Sequence, residues 1–259
     1  MKKSMIAFGV AALCGAVSFA DVTSANTVGY IGNTLADGNF NMIAASFNKV
    51  DGTGLQPNDG DLKFENLIEG TTFGSDVDTI EVWDPNRGYT YHFYYEGDGW
   101  TDDSGNGYFE DDYPNGLAAG DAMWLEAAAG HDGDLKVTIA GAVEDADDVP
   151  YELVAGNFNM ISNPYPINWD PNDSTKVAFE NIIEGTTFGS DVDTIEVWDP
   201  NRGYTYHFYY EGDGWTDDSG NGYFEDDYPN GLAAGQPVWF EAAPNANVPT
   251  VTFLNPLKK

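Results

Sequence analysis

The chain has 259 residues and a formal net charge of −33, from 43 Asp and Glu against 10 Lys and Arg. That balance excludes nucleic acid and anionic membrane surfaces as partners, because both need a basic patch and the only arginines are Arg87 and Arg202. A 42% hydrophobic and 14% aromatic content points to a packed core rather than a disordered acidic chain.

The chain opens as a secretory signal. Met1-Lys2-Lys3 is basic, Met5 to Val17 is apolar but too short to span a bilayer, and Ser18-Phe19-Ala20 supplies small residues before a cut after Ala20. The protein is therefore expected outside the cytoplasm, secreted or in the cell envelope. Cys14 is the single cysteine and lies inside this signal. Leu13 stands where a lipoprotein signal has a small residue. The mature chain thus has no cysteine for disulfides, thiolate metal sites or nucleophilic attack.

Beyond the signal, one module is written twice. Phe64 to Gly120 recurs as Phe179 to Gly235 with one change, Leu67 to Ile182. Gly38 to Ile43 recurs more loosely as Gly156 to Ile161, and Ala122 to Glu126 as Pro237 to Glu241. Modules are expected over 21–143 and 151–259, joined by an acidic linker over 144–150.

The elements follow in chain order. Asn39–Ala44 reads as a strand. Phe64, Leu67 and Ile68 have helical spacing, with Asp61 as cap and Gly70 as stop; Phe179, Ile182, Ile183 and Gly185 repeat this pattern. Thr79–Trp83 and Tyr89–Tyr95 alternate with period two around Asp84-Pro85-Asn86-Arg87-Gly88, which predicts a hairpin. Tyr89, Tyr91, Phe93 and Tyr95 share one face of the returning strand, and Thr90, His92 and Tyr94 the other. Strands are expected again at Ala122–Glu126 and Leu135–Ile139, with Leu135, Val137 and Ile139 inward. The predicted fold is all-β: two tandem modules, each a β-sandwich or a small barrel with one short helix.

The run Gly156-Asn157-Phe158-Asn159-Met160-Ile161-Ser162-Asn163-Pro164-Tyr165-Pro166, then Thr194-Ile195-Glu196-Val197-Trp198-Asp199, then Leu232 to Phe240, resembles a motif series in secreted β-modules. Such modules occur in surface proteins of the Bacteroidetes type and, duplicated, in Verrucomicrobia. The resemblance implies secretion and a β-rich fold, and no activity. The first copy departs from it, with Ala44-Ala45-Ser46-Phe47 in place of Ser162-Asn163-Pro164-Tyr165.

Three chemistries compete. From Glu96 to Asp112 the chain carries Glu96, Asp98, Asp102, Asp103, Glu110, Asp111 and Asp112. Asp102, Ser104 and Asn106 place oxygens at alternate positions before Gly107, as in the first half of a calcium loop. The candidate Ca²⁺ ligands are those three with Glu110 and Asp111, and Asp217, Ser219, Asn221, Glu225 and Asp226 in the second copy. Tyr113 stands where the closing Glu of such a loop belongs, and a solvated acidic loop is the alternative. Second, Thr90, His92 and Tyr94, with Thr205, His207 and Tyr209, form a candidate platform for sugar rings; packing of both strand faces is the alternative. Third, catalysis finds no support. No carboxylate pair is singled out by spacing, and no zinc or G-x-S-x-G motif occurs. The sequence reads as a secreted structural or surface-interaction protein displaying two acidic, aromatic-rich faces, with Ca²⁺ as the one candidate cofactor and self-association or cell-surface components as partners. A glycan-binding protein is the second reading.

Overall fold

Period-two alternation decides the architecture. A computed structural model of the chain describes residues 28–71, 76–102, 104–185, 192–217, 222–256 and 258. The signal expected over 1–20, and the candidate ligands Ser219 and Asn221, lie outside the described residues.

The first module contains β1 (Val28–Leu35), β2 (Phe40–Ala44), β3 (Leu62–Glu65), β4 (Thr79–Asp84), β5 (Gly88–Tyr95), β6 (Gly99–Thr101), α1 (Phe109–Asp112), β7 (Ala122–Glu126) and β8 (Leu135–Ala142). The second contains β9 (Asp148–Glu152), β10 (Phe158–Ile161), β11 (Val177–Glu180), β12 (Thr194–Asp199), β13 (Gly203–Tyr210), β14 (Gly214–Thr216), α2 (Phe224–Asp227), β15 (Val238–Glu241) and β16 (Thr250–Leu254). In each module a three-stranded sheet faces a five-stranded one. The orders are β1-β8-β3 and β2-β7-β4-β5-β6, then β11-β16-β9 and β10-β15-β12-β13-β14. All pairings within the sheets are antiparallel, and among the described residues no sheet closes into a barrel. The sandwich alternative therefore holds and the barrel does not.

The inward faces make one core per module. In the first, Leu62, Leu135, Val137 and Ile139 of the small sheet meet Ile43, Ile80, Val82, Met123, Leu125 and Trp100 of the large one. In the second, Val177, Val251 and Phe253 meet Ile161, Ile195, Val197, Phe240 and Trp215. Each such side chain contributes roughly 1.5–3 kcal/mol by leaving water.

One expected element is different. The helix predicted around Phe64, Leu67 and Ile68 is strand β3, and its copy is β11. Leu62 is buried while Lys63 and Glu65 are exposed, so alternation against β8 outweighs the helical spacing. Asn66 then takes a left-handed φ of 66°, which stops the strand, and its side chain donates to Asp134 O at 2.9 Å. Asp61 accepts from the Gln56 N–H instead of capping a helix. The short helix of each module lies elsewhere, at α1 and α2. The acidic stretch expected as a linker over 144–150 is partly structural as well, since Asp148, Val149 and Pro150 already pair with β16.

The hairpin forms as the alternation predicts, with Asp84 paired to Gly88 and Trp83 to Tyr89. Asp84 Oδ1 accepts the N–H groups of Asn86 and Arg87, and Gly88 adopts a φ of 87° that closes the turn.

Candidate functional site

The outward face of each large sheet carries the aromatic residues. Directly opposed residues of antiparallel strands share a face. Met42, Trp124, Glu81 and Tyr91 therefore form one row across β2, β7, β4 and β5, beside the pair Trp83 and Tyr89. Met160, Trp239, Glu196 and Tyr206 repeat the row in the second module, beside Trp198 and Tyr204.

The two modules meet through this face, and the contacts are reciprocal. Trp83 Nε1 donates to Phe158 O at 2.7 Å, and Trp198 Nε1 donates to Phe40 O at 2.9 Å. Asn157 Nδ2 donates to Pro85 O at 2.5 Å, and Asn39 Nδ2 to Pro200 O at 3.3 Å. Edge-on ring contacts pair Trp83 with Trp239 at 5.7 Å and Trp124 with Trp198 at 5.5 Å. Each contact has its mate under exchange of the modules, so the duplication has produced a two-fold-like interface inside one chain.

The seam leaves an open cleft of about 270 Å³ lined by Trp83 and Tyr89 of the first module and Phe158, Glu196, Tyr204 and Trp239 of the second. Trp239 Nε1 donates to Tyr204 Oη at 3.2 Å, and Tyr89 is hydrogen-bonded to Trp124. Around the cleft Tyr89, Tyr91 and Tyr206 stay exposed, at 36%, 46% and 48%. Glu81 and Glu196 lie sunk among these rings, each 8% exposed. Burial, and then the charge of Glu126 or Glu241 across the strand, pushes both to about 7. Burial likewise pushes Tyr89 up to about 12. The seam thus offers flat apolar rings, phenol hydroxyls and carboxyl groups that are half protonated near neutrality.

The residues expected as a sugar platform face the other way. His92 is fully buried against Phe109 and places Nε2 3.2 Å from Asp112 Oδ2. Burial lowers its pKa, against the opposing pull of Asp112, and so favours the neutral ring. Thr90 bonds the Tyr113 hydroxyl, and Tyr94 packs on Trp100. Thr205, His207 and Tyr209 repeat this with Tyr228, Phe224 and Trp215. The hairpin has the expected alternation, but the core takes the Thr/His/Tyr face because the five-stranded sheet turns that side to the small sheet.

The expected calcium ligands of the first copy divide between a loop, with Asp102, Ser104 and Asn106, and α1, with Glu110 and Asp111, and the carboxylates are engaged by protein donors. Asp102 Oδ1 accepts the Ser104 N–H at 2.9 Å, the Ser104 hydroxyl at 2.7 Å and the Asn106 N–H at 3.2 Å. Asp111 Oδ2 accepts from Tyr108 N and Glu110 Oε2 from Asn58 Nδ2, both at 2.9 Å. Asp226 and Glu225 do the same for Tyr223 and Asn172. Asp217 N donates to Gly222 O at 2.7 Å, as Asp102 N does to Gly107 O. Among the described residues, no group of three or more His, Cys, Asp or Glu side chains is arranged to hold a metal ion.

Sequence reasoning missed the seam. Its signal was present in Asn39 and Asn157, which match between copies and each reach the other module's hairpin. No helix among the described residues is long and apolar enough to cross a membrane. No family model, no curated protein and no solved structure matches the chain.

Proposed function

We propose that this is a secreted surface-interaction protein that grips a neutral polysaccharide across the seam between its modules. The observation that supports this most is the outward aromatic face, with Tyr89 and Tyr204 lining one cleft shared by both modules and Tyr91 and Tyr206 beside them on the same strands. Tyrosine rings offer a flat apolar surface for the CH faces of sugars, and their hydroxyls, with Glu81 and Glu196, meet sugar hydroxyls. The strong negative charge of the chain disfavours acidic glycans. The apolar leader over 1–20 supports an extracellular setting for this role. The role is binding, and no reaction is assigned to the site.

A glycan array probed with the mature protein tests this. Binding to neutral β- or α-glucans, mannans or galactans is the expected outcome. A blank array with a folded sample, as judged by a cooperative melt, overturns it.

A further inference from the structure

The two ends of the module interface differ at the strand position held by Asn33 and Tyr151, and in Ala44-Ala45-Ser46-Phe47 against Ser162-Asn163-Pro164-Tyr165. Strand register shows which residues correspond. Asn33 and Phe64 both lie opposite Val137, and Tyr151 and Phe179 both lie opposite Val251. Phe64 and Phe179 are the same repeat position, so Asn33 in β1 is the counterpart of Tyr151 in β9.

At the Tyr151 end the interface is filled. The phenol crosses into the first module and its hydroxyl donates to Ala119 O at 3.0 Å. Ser162 N and Oγ both donate to Gly120 O. A Cβ on Gly120 would lie 1.5 Å from the Tyr151 hydroxyl, so glycine is what lets the ring in. At the Asn33 end the matching turn is Ala233-Ala234-Gly235-Gln236, and Asn33 stands in the position from which Tyr151 crosses at the other end. A Cβ on Gly235 would meet nothing closer than Ile31 and Ser46, at 3.2 Å. A cavity of about 250 Å³ opens there, lined by Asn33, Met42, Ile43 and Trp198 together with Ala233 to Gln236. Two buried polar atoms at this end have no partner among the described residues: Asn33 Nδ2 and Ser46 Oγ, with Ser46 fully enclosed. Buried donors without acceptors are costly, which marks the place for a polar occupant.

We propose that this cavity binds a neutral para-substituted phenol. The filled end is the template. The ligand ring lies beside the Asn33 side chain, its hydroxyl donates to Ala234 O as Tyr151 does to Ala119 O, and an oxygen on the para substituent accepts from Asn33 Nδ2. A carboxylate in that position is disfavoured by the charge of the chain. The cavity does not depend on the polysaccharide reading, and either can fail alone.

The probe is 4-hydroxybenzyl alcohol, with benzyl alcohol as the analogue lacking the phenol hydroxyl. Titration is followed by methyl NMR of the mature protein. The expected result is saturable binding at millimolar concentration or below, with shifts confined to Met42, Ile43, Ala233 and Ala234, and at least fivefold weaker binding of benzyl alcohol. Asn33→Tyr should fill the cavity, raise the melting temperature and abolish binding. No saturable shift in the wild-type protein, which means a cavity occupied by water only, overturns the proposal whether or not the variant folds. So does undiminished binding by a folded Asn33→Tyr protein.

Discussion

The Trp83 indole of the first module donates its N–H to the Phe158 carbonyl of the second at 2.7 Å, and Trp198 returns the same bond to Phe40 at 2.9 Å. Phe158 and Phe40 begin β10 and β2, the edge strands of the two large sheets. Each indole therefore satisfies a carbonyl at an exposed sheet edge while its ring packs on a tryptophan of the other module. That relationship makes the seam one surface rather than two.

Removing the indole N–H should loosen this surface. Trp83→Phe and Trp198→Phe are each expected to cost about 1 kcal/mol in urea unfolding, the net worth of one hydrogen bond. The corresponding alanine variants should cost roughly 3 kcal/mol through lost ring packing. The alanine double variant should also raise the radius of gyration in solution scattering. An unchanged radius with wild-type stability would show that the modules do not hold each other this way.

The carboxyls in the seam set a pH dependence. Glu81 and Glu196 are raised from 4.5 to about 7, so the folded protein binds protons more tightly than the unfolded chain. Their contribution to stability is full below pH 4.5 and is lost as pH rises through about 7. Glu81→Gln and Glu196→Gln should each stabilise the protein by about 1–3 kcal/mol at pH 8 and change little at pH 4. Equal effects at both pH values in denaturant titrations contradict the assignment.

His131 gives the first module a lock that the second lacks. Its enclosed side chain bridges Asp37 at 2.6 Å and Asp78 at 2.9 Å. Burial lowers its pKa, but the hydrogen bonds and charges of the two aspartates outweigh this and raise it above 6.5. The stabilisation is full below pH 6.5 and is lost as pH rises through the raised value. Ala155 stands where Asp37 would recur, and 242–248 contains no histidine. His131→Gln should destabilise the chain by about 3 kcal/mol at pH 6, with the loss shrinking by pH 9. Hydrogen exchange should place the opening in β2, β4 and β7 and spare β10, β12 and β15. Uniform opening of both modules would argue against a local lock.

The acidic loop answers a calcium titration. Asp102, Glu110 and Asp111 already accept N–H and O–H donors, so millimolar Ca²⁺ is expected to move the melting midpoint no more than equal Mg²⁺ does. A calcium-specific rise would return Asp102, Ser104, Asn106 and Asp111 to the role of ligands.

Much of the fold was legible because it rests on local alternation. β7 at Ala122–Glu126 and the hairpin of β4 and β5 follow directly from period-two patterns bounded by turn residues. β3 was misread because Phe64, Leu67 and Ile68 satisfy helical spacing, while Leu62 and Phe64 satisfy alternation equally well over a shorter run. Only the partner strand β8 decides between them. The site was less legible for a related reason. The two faces of Tyr89–Tyr95 are both aromatic, and nothing within the strand says which one meets the small sheet. The seam itself is a contact between β10, β12 and the first module, across more than seventy residues of sequence in the case of Trp83 and Phe158. A duplicated sequence says that two modules exist, but their pairing depends on which surfaces complement each other in space.

One ligand site built from both modules takes up ligand in a fixed ratio, which calorimetric titration with an oligosaccharide identified on the array measures. The expected result is one ligand per chain, and loss of at least tenfold in affinity for either Tyr91→Ala or Tyr206→Ala alone. Two equivalent ligands per chain, with each alanine variant removing one of them and leaving the other intact, would contradict it.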